Sequence, residues 1–100
     1  MNREFLKSIN DRLIVNLTFR TLKGSIENRR CIPYNFGNTG FKDNSRRYYF
    51  LVLKGREKSH PIVLLPKQVL KIELTDVYFN PISYVRWKPK WFAKTLWNVA

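Results

Sequence analysis

One segment near the N-terminus has the period of a half-buried β-strand. In residues 12–20 an apolar residue occupies every second position, and polar or charged residues fill all but one of the positions between them. Because successive side chains of a strand point to opposite faces, this pattern predicts a strand with one buried face. A turn signal at residues 22–25 follows, so residues 25–32 are expected to return as the second strand of a hairpin.

Further short strands are expected after an exposed loop at residues 35–45, which is rich in Asn and Gly. The first of them carries apolar residues on both faces, which indicates a central position in the sheet. Short strands with turn-forming residues between them predict a small β-barrel, and closure into a barrel removes open sheet edges. These strands are expected at residues 46–53, 61–65 and 69–75.

A short helix is expected at each end of the chain. Residues 2–10 begin with a potential N-cap, Asn2, and carry apolar residues on one side. Pro89 can begin a second helix within the basic, aromatic segment 85–100. The length of 100 residues predicts a single domain, and the fold class is therefore mainly β with two short terminal helices.

The charge balance favours a polyanionic partner. Nineteen Lys and Arg residues stand against seven Asp and Glu residues, which gives a net charge of +12. Mutual repulsion at this density weakens the compact state. A nucleic acid offsets that cost, because its phosphates release condensed counterions on binding. No basic amphipathic helix is long enough to lie on a membrane, so no membrane partner is expected. A basic surface kept for solubility is the alternative.

Other sequence features concern compartment and chemistry. Cys31 is the only cysteine, which excludes an internal disulfide and favours a reducing, cytoplasmic setting with a packed structural thiol. No apolar run has the length of a membrane span, and the first residues lack the apolar core of a signal peptide. His60 is the only histidine, and neither a metal-like spacing of acids nor a Gly-rich phosphate loop occurs. We therefore expect no enzyme activity, metal or cofactor.

Several motifs follow one another in a characteristic order. Residues 30–34 spell Arg-Cys-Ile-Pro-Tyr at the end of the second predicted strand, Tyr48-Tyr49-Phe50 lies on the next, Lys67-Gln68-Val69 follows a short apolar strand, and residues 76–84 spell DVYFNPISY. Over residues 5–84 this order resembles WYL domains, which show Arg-x-x-Pro-Tyr, then Trp-Tyr-Leu, then a Leu-Asp-Arg-Ile-like stretch and a Phe-containing end. The second and third motifs differ from the family pattern, and the arginine of the third is missing.

The resemblance implies a five-stranded, Sm-like and SH3-type barrel over residues 5–84. It also implies a regulatory module that binds nucleic acid or a nucleotide-like, negatively charged ligand. WYL domains commonly follow a winged-helix DNA reader, and these 100 residues contain none. A role as a transcription factor is therefore not expected of the chain by itself.

The candidate contacts to nucleic acid combine basic and aromatic side chains. Arginine forks suit phosphate, and tyrosine rings can stack on bases. Neighbouring strand residues face opposite ways, so the family pattern favours Arg30 over Arg29 and one tyrosine of the pair at 48 and 49 is expected in the core. The predicted site residues are Arg30, Arg46, Arg47, Tyr48, Tyr49, Lys67, Gln68, Lys88 and Lys90.

These groups carry explicit alternatives. Arg30 can be a solvated strand charge, and Tyr48 and Tyr49 can both be packing residues. The resemblance implies that Lys67 or Gln68 replaces the family's ligand arginine, and an ordinary turn is the other interpretation. Lys88 and Lys90 lie in a cluster with two tryptophans, Trp87 and Trp91. This cluster either stacks on bases beside phosphate contacts or anchors the end of the chain on a thin core.

The function predicted from the sequence is non-enzymatic binding of nucleic acid, DNA or RNA, single-stranded rather than duplex. A protein-interaction or assembly module that binds an acidic partner is the alternative. A third hypothesis is a small basic ribonuclease toxin of the RelE kind, but residues 12–34 predict a hairpin where such toxins have a strand and two helices. The sequence does not determine the oligomeric state.

Overall fold

The order of helices and strands confirms the mainly β prediction. The computed structural model describes residues 2–37, 43, 45–54, 57–81 and 83. Within them lie α1 (Arg3–Asp11), β1 (Leu13–Arg20), β2 (Ile26–Gly37), β3 (Arg47–Lys54), β4 (Glu57–Leu64), a 3-10 turn (Pro66–Gln68) and β5 (Val69–Tyr78). The expected N-terminal helix is present, whereas the expected C-terminal helix lies outside the described residues.

The strand boundaries differ from the predictions in three places. β2 continues to Gly37, beyond the expected start of the loop at residue 35, because Phe36 pairs with Tyr48 of β3. β4 begins at Glu57 instead of residue 61, because its polar first half still pairs with β3. β5 extends to Tyr78 instead of residue 75. In each case backbone pairing extends the strand beyond the apolar pattern from which it was predicted.

The five strands form one antiparallel sheet in the order β4-β3-β2-β1-β5. The first four strands follow one another as neighbours, and β5 then pairs with β1 on the opposite side of the sheet. β3 lies between β2 and β4, so its predicted interior position is confirmed. β4 is an edge strand of this order, which tolerates Pro61 because the missing N–H removes no bond from a central ladder.

The link between the two outermost strands curls the sheet. Only residues 65–68 separate β4 from β5. In a flat sheet these strands would lie four spacings apart, about 19 Å. Five steps along a fully extended chain reach at most about 18 Å, and most of this link is wound into a 3-10 turn, which is shorter still. The sheet must therefore bend so that its two outer strands approach each other.

The two faces of the bent sheet have different surroundings. Residues paired directly across neighbouring strands project from the same side, and Val15 pairs with Cys31, which pairs with Val52. We call this side the inner face; its buried residues include Val15, Leu17, Phe19, Cys31, Tyr48, Phe50, Val52 and Ile72. The alternate positions form the outer face. Around the middle of β2 and β3 the outer face is also buried, at Ile32 and Leu51.

Helix α1 covers one end of the inner face through Phe5. The helix begins at Asn2, whose side chain accepts a hydrogen bond from the Phe5 N–H at 3.0 Å. The fully buried Phe5 ring packs against Tyr48 at 4.8 Å and Phe50 at 5.4 Å between ring centres. The helix ends at Asp11, and its C-cap Arg12 adopts a left-handed conformation (φ 57°) and accepts a hydrogen bond at its carbonyl from the Phe79 N–H at 2.9 Å. The chain just after β5 is thus fastened to the end of α1.

The thiol of Cys31 belongs to the inner-face core. Its side chain is fully buried, and the sulfur donates to the Arg29 carbonyl at 3.6 Å. Burial raises the pKa of the Cys31 thiol to about 12, so the reactive thiolate is scarce near neutral pH. This placement agrees with the predicted structural role.

The Phe5 contacts predict a large loss of stability on truncation. Phe5→Ala removes a fully buried ring from an aromatic cluster, and we expect the free energy of unfolding to fall by about 3–5 kcal/mol. Leu6→Ala on the same helix is the matched control, because Leu6 is 46% exposed, and it should cost about 1 kcal/mol or less. Urea unfolding followed by circular dichroism measures both. Equal losses in the two variants would contradict the role given to Phe5.

Candidate nucleic-acid interface

The outer face is polar where β5, β1 and β2 lie side by side. Arg30 pairs with Asn16 and Asn28 with Thr18, while Lys71 and Glu73 of β5 pair with Thr18 and Asn16 from the other side. These side chains therefore project from one side of the sheet, together with Arg20 at the end of β1. We call this surface the polar face; its residues are Asn16, Thr18, Arg20, Asn28, Arg30, Lys71 and Glu73.

The polar face carries separated positive charges together with neutral hydrogen-bonding groups and one carboxylate, that of Glu73. Asn28 donates to the Thr18 hydroxyl at 2.8 Å, which ties the two strands together. Arg30 is exposed and forms no salt bridge with any residue that the structure describes. Standard strand and residue spacings put the Cα atoms of Arg30 and Lys71 about 12 Å apart. Two cations at this separation can contact different phosphates of one chain.

Lys71 and Arg20 also remain accessible on this face. Lys71 lies 3.5 Å from Glu73, but both side chains are more than half exposed. This ion pair therefore contributes little to stability, and Lys71 can exchange it for a contact with phosphate. Arg20 donates to the Gly24 carbonyl of the hairpin turn at 3.3 Å. Sequence reasoning missed both residues as site candidates. Arg20 lies at a polar position of the alternating pattern, and this signal could have identified it. Lys71 could not be identified in this way, because its place next to β1 follows only from the register between β1 and β5.

Gln68 and Lys67 have different environments within the 3-10 turn. The Gln68 side chain is buried, accepts from the Leu65 N–H at 2.9 Å and donates to the Arg20 carbonyl at 3.1 Å. Its amide thus fastens the turn to the end of β1, which is a structural role. Lys67 is exposed on the same turn and therefore lies near the Arg20 end of the polar face. Of the two residues predicted to meet a ligand, the structure leaves Lys67 accessible.

Tyr48 and Tyr49, of which at least one was predicted to stack on a base, are both buried, in agreement with the alternative that both are packing residues. They project from opposite faces of β3, as expected, but each face is covered at this point, and they are only 6% and 8% exposed. The Tyr48 ring packs 4.6 Å from Phe36, and its hydroxyl accepts from the Asn2 N–H at 2.7 Å. Tyr49 packs 5.8 Å from Tyr34, and burial raises its pKa. Neither ring presents a face to a base, so this placement argues against the stacking role.

Arg46 and Arg47 lie far from Arg30. Arg47 pairs with Gly37, seven residues along β2 from Arg30, which corresponds to about 23 Å. It donates to both carboxylate oxygens of Asp43 at 3.0 Å, and these bonds lower the pKa of Asp43. The Arg46 guanidinium is exposed and lies 4.6 Å from the centre of the Phe36 ring. The structure therefore does not bring the predicted basic residues into one cluster.

The remaining predicted residues and the comparisons add no further site. Lys88 and Lys90 lie outside the described residues. The described part of the chain holds no group of three or more His, Cys, Asp or Glu residues that could bind a metal ion, and no helix in it is long and apolar enough to cross a membrane.

No family model matches the chain, and no curated protein is significantly similar to it. The resemblance to WYL domains stays a prediction.

The contrast between Gln68 and Lys67 is testable. Gln68→Ala leaves the Leu65 N–H and the Arg20 carbonyl without their side-chain partner, and we expect the free energy of unfolding to fall by about 1–3 kcal/mol. Lys67→Ala, its neighbour on the same turn, should change it by less than about 0.5 kcal/mol. Thermal or urea unfolding of the two variants measures this difference. A Gln68 variant as stable as the wild type would remove the structural role.

Proposed function

We propose that this chain is a non-enzymatic nucleic-acid-binding module whose polar face contacts phosphates. The observation that carries the proposal is the exposed Arg30, flanked by Arg20 and Lys71 on one side of the sheet, in a chain with a net charge of +12. Lys67 extends this basic surface beyond the end of β1. Exposed basic side chains spaced along one surface are typical of proteins that bind a phosphate backbone.

We further propose that the curled sheet belongs to the SH3-type, Sm-like barrels of WYL domains. Two structural features support this: β5 returns to pair with β1, and a link of four residues draws the two outer strands together. The motif order of residues 5–84 supports it from the sequence. In such a barrel the inner face is the core, and the polar face lies on the outside.

The pattern of ion pairs supports a partner with many negative charges. Within the described residues, four acids are taken up by nearby cations: Asp11 by Lys7, Glu27 by Arg29, Asp43 by Arg47 and Glu73 by Lys71. Arg30 and Lys67 have no such carboxylate among the residues that the structure describes. Binding to phosphate therefore does not require these two cations to give up an internal ion pair.

The curvature favours a single strand over a duplex. A duplex of ordinary length is stiff, with a persistence length of about 150 base pairs, and a rigid rod meets a curved face at few phosphates. A single strand can follow the curve and adjust its phosphates to Arg20, Arg30 and Lys71. Because backbone contacts carry no sequence information and the two tyrosines are buried, we expect weak discrimination between base sequences.

An acidic protein partner is the second candidate. Two apolar residues are exposed beside the Arg20 end of the polar face: Leu22, which is 85% exposed, and Ile26, which pairs with Arg20 and is 58% exposed. A mixture of cationic and apolar side chains is typical of protein interfaces. Polyglutamate, which has negative charge without phosphates or bases, distinguishes the candidates in a competition experiment.

The test compares two adjacent arginines that point to opposite faces. Arg30→Gln should weaken binding to a labelled single strand of about 20 nucleotides roughly fivefold. It should also reduce the slope of log affinity against log salt by about 0.7, because one phosphate contact is lost. Arg29→Gln removes the same charge from the inner face and should change both quantities much less. Fluorescence anisotropy between about 50 and 200 mM salt measures them.

Three results would contradict this proposal. Binding that does not change with salt would exclude phosphate contacts. Equal losses for the two arginine variants would show a general charge effect and no interface at the polar face. Competition by polyglutamate as strong as that by unlabelled oligonucleotide of equal charge would favour the acidic protein partner.

A further inference from the structure

A cavity of about 260 Å³ opens on the inner face, at the end opposite to Phe5. Four strands contribute to it: Phe19 from β1, two residues of β2, two of β3 and two of β4. These four strands are neighbours in the sheet, and their side chains line one cavity on its concave side. The remaining lining residues are Glu27, Arg29, Val52, Lys54, His60 and Ile62.

The cavity combines an apolar wall with a charged rim. The almost fully buried Phe19 and Val52 form its floor, and the half-buried Ile62 adds apolar surface beside them. On the rim, Arg29 forms a salt bridge with Glu27 and donates to the Asn28 carbonyl at 2.8 Å, so its guanidinium is held in place. Lys54, at the end of β3, is exposed. The rim therefore presents a guanidinium oriented by Glu27 and an exposed ammonium group.

We propose that this cavity binds a small organic anion, an apolar or aromatic body that carries one carboxylate or phosphate group. The apolar wall accommodates the body, while Lys54 and Arg29 bind the anionic group. His60 adds a hydrogen-bonding group to the lining, and the Glu27 carboxylate orients Arg29. The volume lies just below the range of about 300–1,000 Å³ that is usual for ligand sites, which restricts the ligand to a single ring or a short chain.

This site is separate from the polar face. Arg29 and Arg30 are neighbours on β2 and pair with Leu17 and Asn16 of β1, so they project from opposite sides of the sheet. A ligand in the cavity does not occupy the surface proposed for nucleic acid. The inference therefore does not rest on the proposed function, and either can fail without the other.

The experiment titrates four small probes into the full chain and follows binding by saturation-transfer NMR. Phenyl phosphate and phenylacetate carry the two anionic groups, benzyl alcohol has the ring without the charge, and inorganic phosphate has the charge without the ring. We expect at least one aromatic anion to bind in the millimolar range or tighter, and both benzyl alcohol and inorganic phosphate to bind about tenfold more weakly. The stronger of the two aromatic anions identifies the preferred anionic group.

Variants then assign binding to the cavity. Lys54→Gln should lower the affinity for the aromatic anion about tenfold, whereas Lys54→Arg, which keeps the charge, should retain binding. Arg30→Gln is the control on the opposite face and should leave the affinity for the aromatic anion unchanged. Thermal unfolding of each variant checks that the fold is intact. No binding of either aromatic anion, equal binding of benzyl alcohol, or equal effects of Lys54→Gln and Arg30→Gln would overturn the proposal.

Discussion

The connection between β4 and β5 is the constraint on which the rest of the structure depends. Four residues join strands at opposite ends of the sheet order, so the sheet cannot stay flat. Gln68 fixes this connection, because its buried amide bonds both the turn and the end of β1. The curl that results creates a concave inner face for the aromatic core and for Phe5. On the outer face, the pairing of β1 with both β5 and β2 places polar side chains of these three strands together.

The alternation of a single strand separates the two proposed activities. Arg29 and Arg30 differ by one position on β2, yet one lines a cavity with an apolar wall and the other lies on an exposed basic surface. Their surroundings determine what each can bind. Arg29 is held by Glu27 beside Phe19, which suits a small anion with an apolar body. Arg30 has cations at separate positions around it, which suits the repeated phosphates of a long chain.

The elements with a clear period were predictable from the sequence, and the features that depend on register were not. The alternation of residues 12–20 predicted β1 almost to the residue, and the capping Asn2 predicted the start of α1. The sequence left open whether one or both of Tyr48 and Tyr49 are packing residues; both are buried, and this depends on the cover over both faces of β3, which is a tertiary property. Lys71 joined the site only through the pairing of β5 with β1, a contact between residues more than fifty positions apart. A ligand-binding turn could carry the same Lys67-Gln68-Val69 motif, so the sequence could not show that Gln68 has a structural role.

The central claim is that the polar face, and not the basic residues at large, binds a single-stranded nucleic acid. The most direct measurement is a titration of the isotope-labelled protein with a short single strand, followed by the backbone amide signals in 15N–1H NMR. The account predicts that the shifted signals cluster at Asn16, Thr18, Arg20, Arg30 and Lys71, while those of Val52, Lys54 and His60 around the inner cavity stay in place. Shifts centred on Arg46 and Arg47, about 23 Å from Arg30 along β2, or shifts spread evenly over all basic residues, would contradict it.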